Sequence, residues 1–523
     1  MRLAPFVSRY ATNGMVCAVD HLAAQAGVAI LRAGGSAADA AVATSAVLAV
    51  TTQHMCGMGG DLFALVHSPG DTQPATLNAS GRAGSGADAA QLRAEGHTVM
   101  PMFDDIRAVP VPGCVDGWLA LHERFGCLPL GDVLAPARDY AADGFPASPF
   151  LAVVASRVAE LPGGDAFRAA THPGAVVRRP GVARTLDAII DSGRDGFYGG
   201  EFGKGLLELG NGEYDVSDLG AVNADWVAPI GVDVWGHRVW TIPPNSQGYL
   251  TLAGSWIAAG LPLPEDPDDP LWAHLTVEAA RFAGHDRNEV LHEHADGKAL
   301  VAPERLAPRR DAITTDRAAN LGDSYRGGGT MYMCAVDSDR MGVSLIQSNA
   351  AGFGANIAEP STGIFLQNRG LGFSLEPGHP AEYGPRRRPP HTLSPALVTS
   401  LEGRFEMTIG TMGGDMQPQI VMQLLARLLA SGETVGDAIA APRWALDSPA
   451  PSSGFDTWSG RGRVQVRLEE SSPSGWAEGL VEHGHDVAVM GANYGHAHAI
   501  RVVDDHLEGA ADPRALSGEA AAY

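Results

Sequence analysis

Residues 326–348 run RGGGTMYMCAVDSDRMGVSLIQS: three glycines, a threonine, and two apolar runs separated by a polar turn. Met331–Val336 and Gly342–Ser348 have strand composition and residues 337–340 are turn-forming, so the segment predicts a β-hairpin headed by Thr330. A glycine run taken alone is a flexible loop. A threonine directly after the glycines, at the start of a strand, is what an N-terminal nucleophile needs. Its hydroxyl attacks the carbonyl of Gly329, and the glycines permit the bent backbone and close approach. Hydrolysis of the ester then frees the amino group of Thr330. With a reference pKa of about 7.7–8.0, that amine can take the proton of its own hydroxyl, so one residue supplies nucleophile and base.

Working outward, a third strand over 405–410 ends at Met412-Gly413-Gly414-Asp415. From Gln417 the pattern turns helical, with Ile420, Val421, Leu424, Leu425, Leu428 and Leu429 on one stripe and Gly432 as the stop. Gly413 and Gly414, between a strand end and a helix N-terminus, are suited to present backbone N–H groups to a developing oxyanion. A plain strand-to-helix turn is the other reading of such a pair. Nearer the start, 21–33 reads as a helix stopped by Gly34-Gly35. Ser36 with Asp39 forms a capping box opening a second helix, and Gly57, Gly59 and Gly60 lead into a strand at 61–66. Between residues 110 and 247, short helical patterns alternate with Pro and Gly, without an internal repeat or low-complexity linker.

At 523 residues the chain has the length of about three average domains, and its 45% hydrophobic and 19% charged residues exclude a coiled coil, a collagen or a disordered protein. Sixty acids against 37 bases give a formal net charge of −23, which repels a phosphate backbone, so no nucleic-acid partner is expected. Five cysteines, odd in number and never in a Cys-x-x-Cys pair, indicate neither a disulfide framework nor a thiolate metal site, and fit a reducing compartment. Residues 1–10 hold too short an apolar stretch for a signal peptide. Residues 37–50, interrupted by Asp39, fall short of the roughly 18–20 apolar residues that span a bilayer. A cytoplasmic protein without a membrane partner is expected.

Other motifs are weaker. His292-Glu293-His294 with Asp296 lacks the helical spacing of a metal site. Gly57-Met58-Gly59-Gly60 precedes a strand instead of joining strand to helix, which makes a poor phosphate loop. Gly322-Asp323-Ser324 is too short to specify a serine hydrolase.

Taken in order, these landmarks resemble the γ-glutamyltranspeptidase family of N-terminal nucleophile hydrolases over nearly the whole chain. The resemblance rests on residues 15–16 and 34–41, Gly57-Met58-Gly59-Gly60-Asp61-Leu62-Phe63, Pro112-Gly113-Cys114-Val115-Asp116-Gly117 and Pro243-Pro244-Asn245-Ser246-Gln247-Gly248. Glu278-Ala279-Ala280-Arg281, Gly495-His496-Ala497 and Asp512-Pro513-Arg514 extend it. It implies an α/β fold, a four-layer αββα sandwich, and autoproteolysis between Gly329 and Thr330. The products would be a large subunit, 1–329, and a small subunit, 330–523, held together as a heterodimer within one domain.

By position, the resemblance makes Thr330 the nucleophile and puts Ser348 where the family has a threonine that supports the nucleophile's amino group. Gly413 and Gly414 match the oxyanion-hole glycines. The substrate pocket departs from the family. Ala350 replaces an Asn that holds the glutamyl amino group, and Arg369 and Gly372 replace its Gln and Asp ligands. Arg369 would repel an ammonium and suits a carboxylate. His391 and Thr392 stand where the family has a serine pair for the α-carboxylate. Arg82 is the candidate for the family's carboxylate-binding arginine, although strict register places Ser80 there.

The implied activity is acylation of Thr330 by a small-molecule amide and transfer of the acyl group to water or an amine. The acyl group is γ-glutamyl or a related small carboxylate-bearing group, as in the oxamate amidohydrolases and cephalosporin (glutaryl) acylases that share the fold. A non-catalytic, metabolite-binding homologue is the reading of another class. No metal or organic cofactor is expected, because the terminal amine and hydroxyl supply base and nucleophile.

Overall fold

A computed structural model describes residues 8–321, 330–447, 464–491 and 494–523. Gly322-Asp323-Ser324, Arg326 and the run of Gly327, Gly328 and Gly329 lie outside these, so the expected cleavage site is described only on its Thr330 side.

Two seven-stranded antiparallel sheets form the centre. In order across the first sheet, the strands are Glu519–Ala522, Met15–Ala18, Met331–Val336, Gly342–Ser348, Asp61–His67, Ala75–Ala79 and Asp225–Val227. In the second they are Arg9–Ala11, His506–Ala511, Ala497–Val503, Phe405–Thr411, Ala396–Ser400, His237–Thr241 and Ile230–Val234. The hairpin at Thr330 forms as expected, with Met331 opposite Gln347 and Val336 opposite Gly342. It sits in the middle of the first sheet, flanked by Met15–Ala18 and Asp61–His67.

Side-chain alternation along Met331–Val336 explains the layers, because successive residues of a strand face opposite sides of the sheet. Tyr332, Cys334 and Val336 join Phe63, Leu65, Trp240, Leu397 and Ile500 in a core between the sheets. Met331, Met333 and Ala335 point the other way, into a core shared with the helices His21–Arg32 and Ala37–Thr51. The second sheet is covered on its outer face by Tyr249–Ala259, Pro270–Gly284 and Gln417–Leu425. Helices therefore cover both outer faces, and the architecture is the expected αββα sandwich.

Ala37–Thr51 is buried all round, which accounts for its lack of a polar face. Its start is the expected capping box of Ser36 and Asp39. The stripe from Gln417 runs as an α-helix to Leu425 and continues as a π-helical turn, Ala426–Ala430, before Gly432 ends it. Among the described residues no helix is long and apolar enough to cross a membrane.

Candidate active site

Thr330 is fully buried at the head of its strand. Its hydroxyl lies 3.4 Å from the Ser348 hydroxyl, to which it donates, and accepts from Gln417 Nε2 at 3.3 Å. The hairpin register produces the first contact, since Ser348 is the residue that closes the returning strand opposite the start of the first. Gln417 opens the helix after the Gly413-Gly414 turn, and its Oε1 accepts from the backbone and hydroxyl of Ser394 at 3.1 and 3.2 Å. Helix, glycine turn and nucleophile are thereby tied together.

Gly413 has φ +137° and Gly414 φ +57°, both in the region that side-chain-bearing residues avoid. The turn is secured by Gln247, whose Nε2 donates to the carbonyls of Gly414 and Thr392, each at 2.9 Å. Gln247 thereby ties the carbonyl of Gly414, at the start of the turn before the helix, to the segment that holds Thr392.

Ser348 Oγ also accepts from the Ala350 N–H at 2.8 Å and from Arg369 Nη2 at 3.2 Å. Arg369 Nη1 donates to Thr392 Oγ1 at 2.8 Å. Arg369 is only 2% exposed, and burial pulls its pKa down to about 10, opposed by the charges of Asp61 and Asp415. It stays cationic near neutral pH. Arg369, Thr392, Ala350, Arg287 and Gly372 are among the residues that line a cavity of about 690 Å³. Arg287 lies 3.6 Å from Asp415, the residue after the glycine pair. Two arginines thus line the cavity, Arg287 paired with Asp415 and Arg369 joined to Thr330 through the Ser348 hydroxyl.

His391 is fully buried and is not part of the cavity lining. Its Nδ1 accepts from the Leu393 N–H at 3.2 Å, so Nε2 carries the proton donated to Asp61 Oδ2 at 3.1 Å. Burial, reinforced by the charge of Arg369, lowers the pKa of His391 to about 3 and keeps the ring neutral. The other oxygen of Asp61 accepts from the N–H groups of Gly81 and Gly113 at 2.9 and 3.2 Å and from Gln367 Nε2 at 2.8 Å. The glycine-rich landmarks thus converge on one carboxylate.

Arg82 departs from the expectation of a substrate ligand. It is absent from the cavity lining and pairs with Asp225 at 2.9 Å, with Asn223 Oδ1 at 3.2 Å. The reason is the carboxylate of Asp225, which takes the guanidinium; Ser80, two residues earlier, is fully buried and accepts from Asn245 Nδ2 at 3.1 Å. Arg388 pairs with the same Asp225 at 2.8 Å and donates to the carbonyl of Ser80.

Sequence reasoning singled out Thr330, Ser348, Gly413, Gly414, Arg369 and Thr392, and the structure brings all six into one neighbourhood. It missed Gln417 and Arg287. A glutamine at the first position of the helix after the glycine pair was a usable signal; Arg287, in a polar stretch, carries no local signal of its burial. Glu293 of the His-Glu-His segment accepts from Arg387 at 3.2 Å and from the Arg388 N–H at 3.0 Å, which gives it a structural partner set.

Residues 23–523 match the family model described as Gamma-glutamyltranspeptidase. The chain is 36% identical over 542 aligned positions to the oxamate amidohydrolase proenzyme of Klebsiella pneumoniae, covering 99% of each chain. It is 35% identical to the glutathione hydrolase-like YwrD proenzyme of Bacillus subtilis, over 96% of this chain and 97% of that one. Among solved structures it superposes on a cephalosporin acylase from Bacillus halodurans with a TM-score of 0.89 and 33% identity, over 99% of this chain and 97% of the other.

Proposed function

The chain belongs to the γ-glutamyltranspeptidase family of N-terminal nucleophile hydrolases, and on that premise we propose that it is an autoprocessed amidohydrolase acting on a small amide whose acyl part carries a carboxylate. Processing between Gly329 and Thr330 yields subunits of 329 and 523 − 329 = 194 residues that remain associated. The liberated Thr330 amine takes the hydroxyl proton, and the alkoxide attacks the amide carbon. The N–H groups of the Gly413-Gly414 turn stabilise the oxyanion. The amine leaves with the proton, and water hydrolyses the acyl-enzyme. Ser348 supports the nucleophile, and Arg369 with Thr392 holds the substrate carboxylate.

The observation that carries this reading is Arg369, a buried cation one hydroxyl away from Thr330, at positions where the family holds a substrate ammonium. A γ-glutamyl group would bring its ammonium toward that cation, so an acyl group with a carboxylate and no ammonium is favoured. The similarity to an oxamate amidohydrolase, whose substrate has a carboxylate and no ammonium, supports this choice. Five unpaired cysteines, four of them buried, support a reducing, cytoplasmic setting.

Two measurements test the proposal. Denaturing electrophoresis should give two fragments for the wild type and one intact band for Thr330→Ala; an intact wild-type band removes the mechanism. Kinetics with oxamate, glutaryl amides, γ-glutamyl anilide and glutathione should favour the first two, and rapid Thr330-dependent turnover of glutathione would contradict the assignment of Arg369.

A further inference from the structure

We infer that Asp61 is a positioning residue for the site that holds the substrate carboxylate, and that it sets the placement of Arg369 and Thr392 through Gln367 and His391. This rests on the reading above, in which Arg369 and Thr392 take the carboxylate, and adds the group that fixes their geometry. Asp61 is fully buried and outside the cavity lining, so it acts on a substrate through its neighbours.

Four N–H donors converge on this carboxylate. Oδ1 accepts from the backbone of Gly81 and Gly113 and from Gln367 Nε2, and Oδ2 accepts from His391 Nε2. Only an acceptor on both oxygens satisfies all four; an asparagine, whichever way its amide is turned, sets an NH2 group against a donor. His391 does not relieve that conflict by changing tautomer, because its Nδ1 is committed to the Leu393 N–H at 3.2 Å.

The two side-chain arms end beside the residues that would bind the substrate. Gln367 lies two positions before Arg369, and His391 directly precedes Thr392. Arg369 Nη1 donates to Thr392 Oγ1 at 2.8 Å, which closes a ring that begins and ends at Asp61. The ring is fastened to the nucleophile's sheet, since Asp61 is the strand partner of Ser348 and Ser348 Oγ accepts from Arg369 Nη2 at 3.2 Å. Backbone bonds of 2.8 Å, from Gln367 to the Gly59 carbonyl and from His391 to that of Asn245, dock the two segments separately. Asp61 is the contact that both segments share. Its charge also opposes the effect of burial on Arg369, so the same group that aims the guanidinium favours its cationic form.

The test uses the processed enzyme and the carboxylate-bearing amide that performs best in the substrate panel. His391→Leu and Gln367→Leu each remove one arm, and His391→Gln keeps an N–H donor toward Asp61. Each leucine variant should raise KM about tenfold, the scale of one lost hydrogen bond to a charged group, while kcat changes far less. His391→Gln should bring KM back toward the wild-type value, and Asp61→Asn should exceed either single loss. If Asp61→Asn does not accumulate as folded protein, the single-arm variants decide alone. Unchanged KM in both leucine variants overturns the inference and leaves the proposed function standing. So does a fall in kcat at constant KM that follows a lowered thermal midpoint, because that is the signature of a merely structural contact. Turnover of no carboxylate-bearing amide by the wild type overturns the proposed function and this inference with it.

Discussion

Arg369 and Thr330 share one hydroxyl. Ser348 Oγ lies 3.4 Å from the Thr330 hydroxyl and 3.2 Å from the Arg369 guanidinium, so the group that would hold the substrate and the group that would attack it are positioned by the same atom. Ser348 itself is held by the Ala350 N–H at 2.8 Å.

Removing that hydroxyl should hurt both partners. Ser348→Ala is expected to lower kcat/KM by about 10- to 100-fold, the scale of one to two lost hydrogen bonds in a buried site. Ser348→Thr, which keeps the hydroxyl, should retain most activity. Equal activity of Ser348→Ala and wild type in steady-state assays would separate Ser348 from the chemistry.

Arg369→Gln should cost about 1.5–3 kcal/mol in kcat/KM on carboxylate-bearing amides, the value of a hydrogen bond to a charged group. Arg369→Lys should not restore it, because an ammonium cannot reproduce the guanidinium's simultaneous contacts with Ser348 and Thr392. Full rescue by lysine would reduce Arg369 to a point charge.

Restoring the family's ammonium ligands should fail at Gly372. A Cβ there would stand 2.3 Å from the carbonyl oxygen of Pro390, a backbone atom that cannot swing aside. Gly372→Asp is therefore expected to lower the thermal midpoint and create no glutathione hydrolysis, even combined with Ala350→Asn. A stable double variant that cleaves glutathione would show the pocket to be less committed than its packing implies.

Stability should fall on acidification. Burial holds His391, His485 and His498 at about 3 and His54 and His496 at about 4, all below the ordinary value near 6.5. Each is neutral in the folded protein and binds a proton more readily when unfolded. Their contribution is complete above about 6.5 and is lost as pH falls toward 4 and 3, each group at up to about 1.4 kcal/mol per pH unit. Urea midpoints measured from pH 7.5 to 5 should decline; a constant midpoint would mean that these rings are not buried neutral in solution.

Much of this was legible locally. The glycines before Thr330, the alternation over Met331–Val336, the Ser36 capping box and the strand-glycine-helix order around Gly413 are neighbours in the chain, and their physics operates over a few residues. The family resemblance these landmarks carry implied the αββα sandwich and the role of Ser348, while Thr330, Gly413 and Gly414 were also nominated by their local pattern. The substitutions at 350, 369 and 372 were visible as departures from a pattern.

Tertiary structure decided what those departures do. Whether Arg369 faces solvent or the nucleophile depends on a loop folding back across Ser348 and Thr392, and its burial comes from segments remote in the chain. The same holds for Arg82, whose guanidinium meets Asp225 from a strand remote in the chain, and for Arg287, brought to Asp415 by packing of the helical layer on the second sheet. Charge and residue type are properties of the chain; the partner that a charge meets is set by packing between distant segments, since burying a cation demands compensating groups that no local pattern specifies.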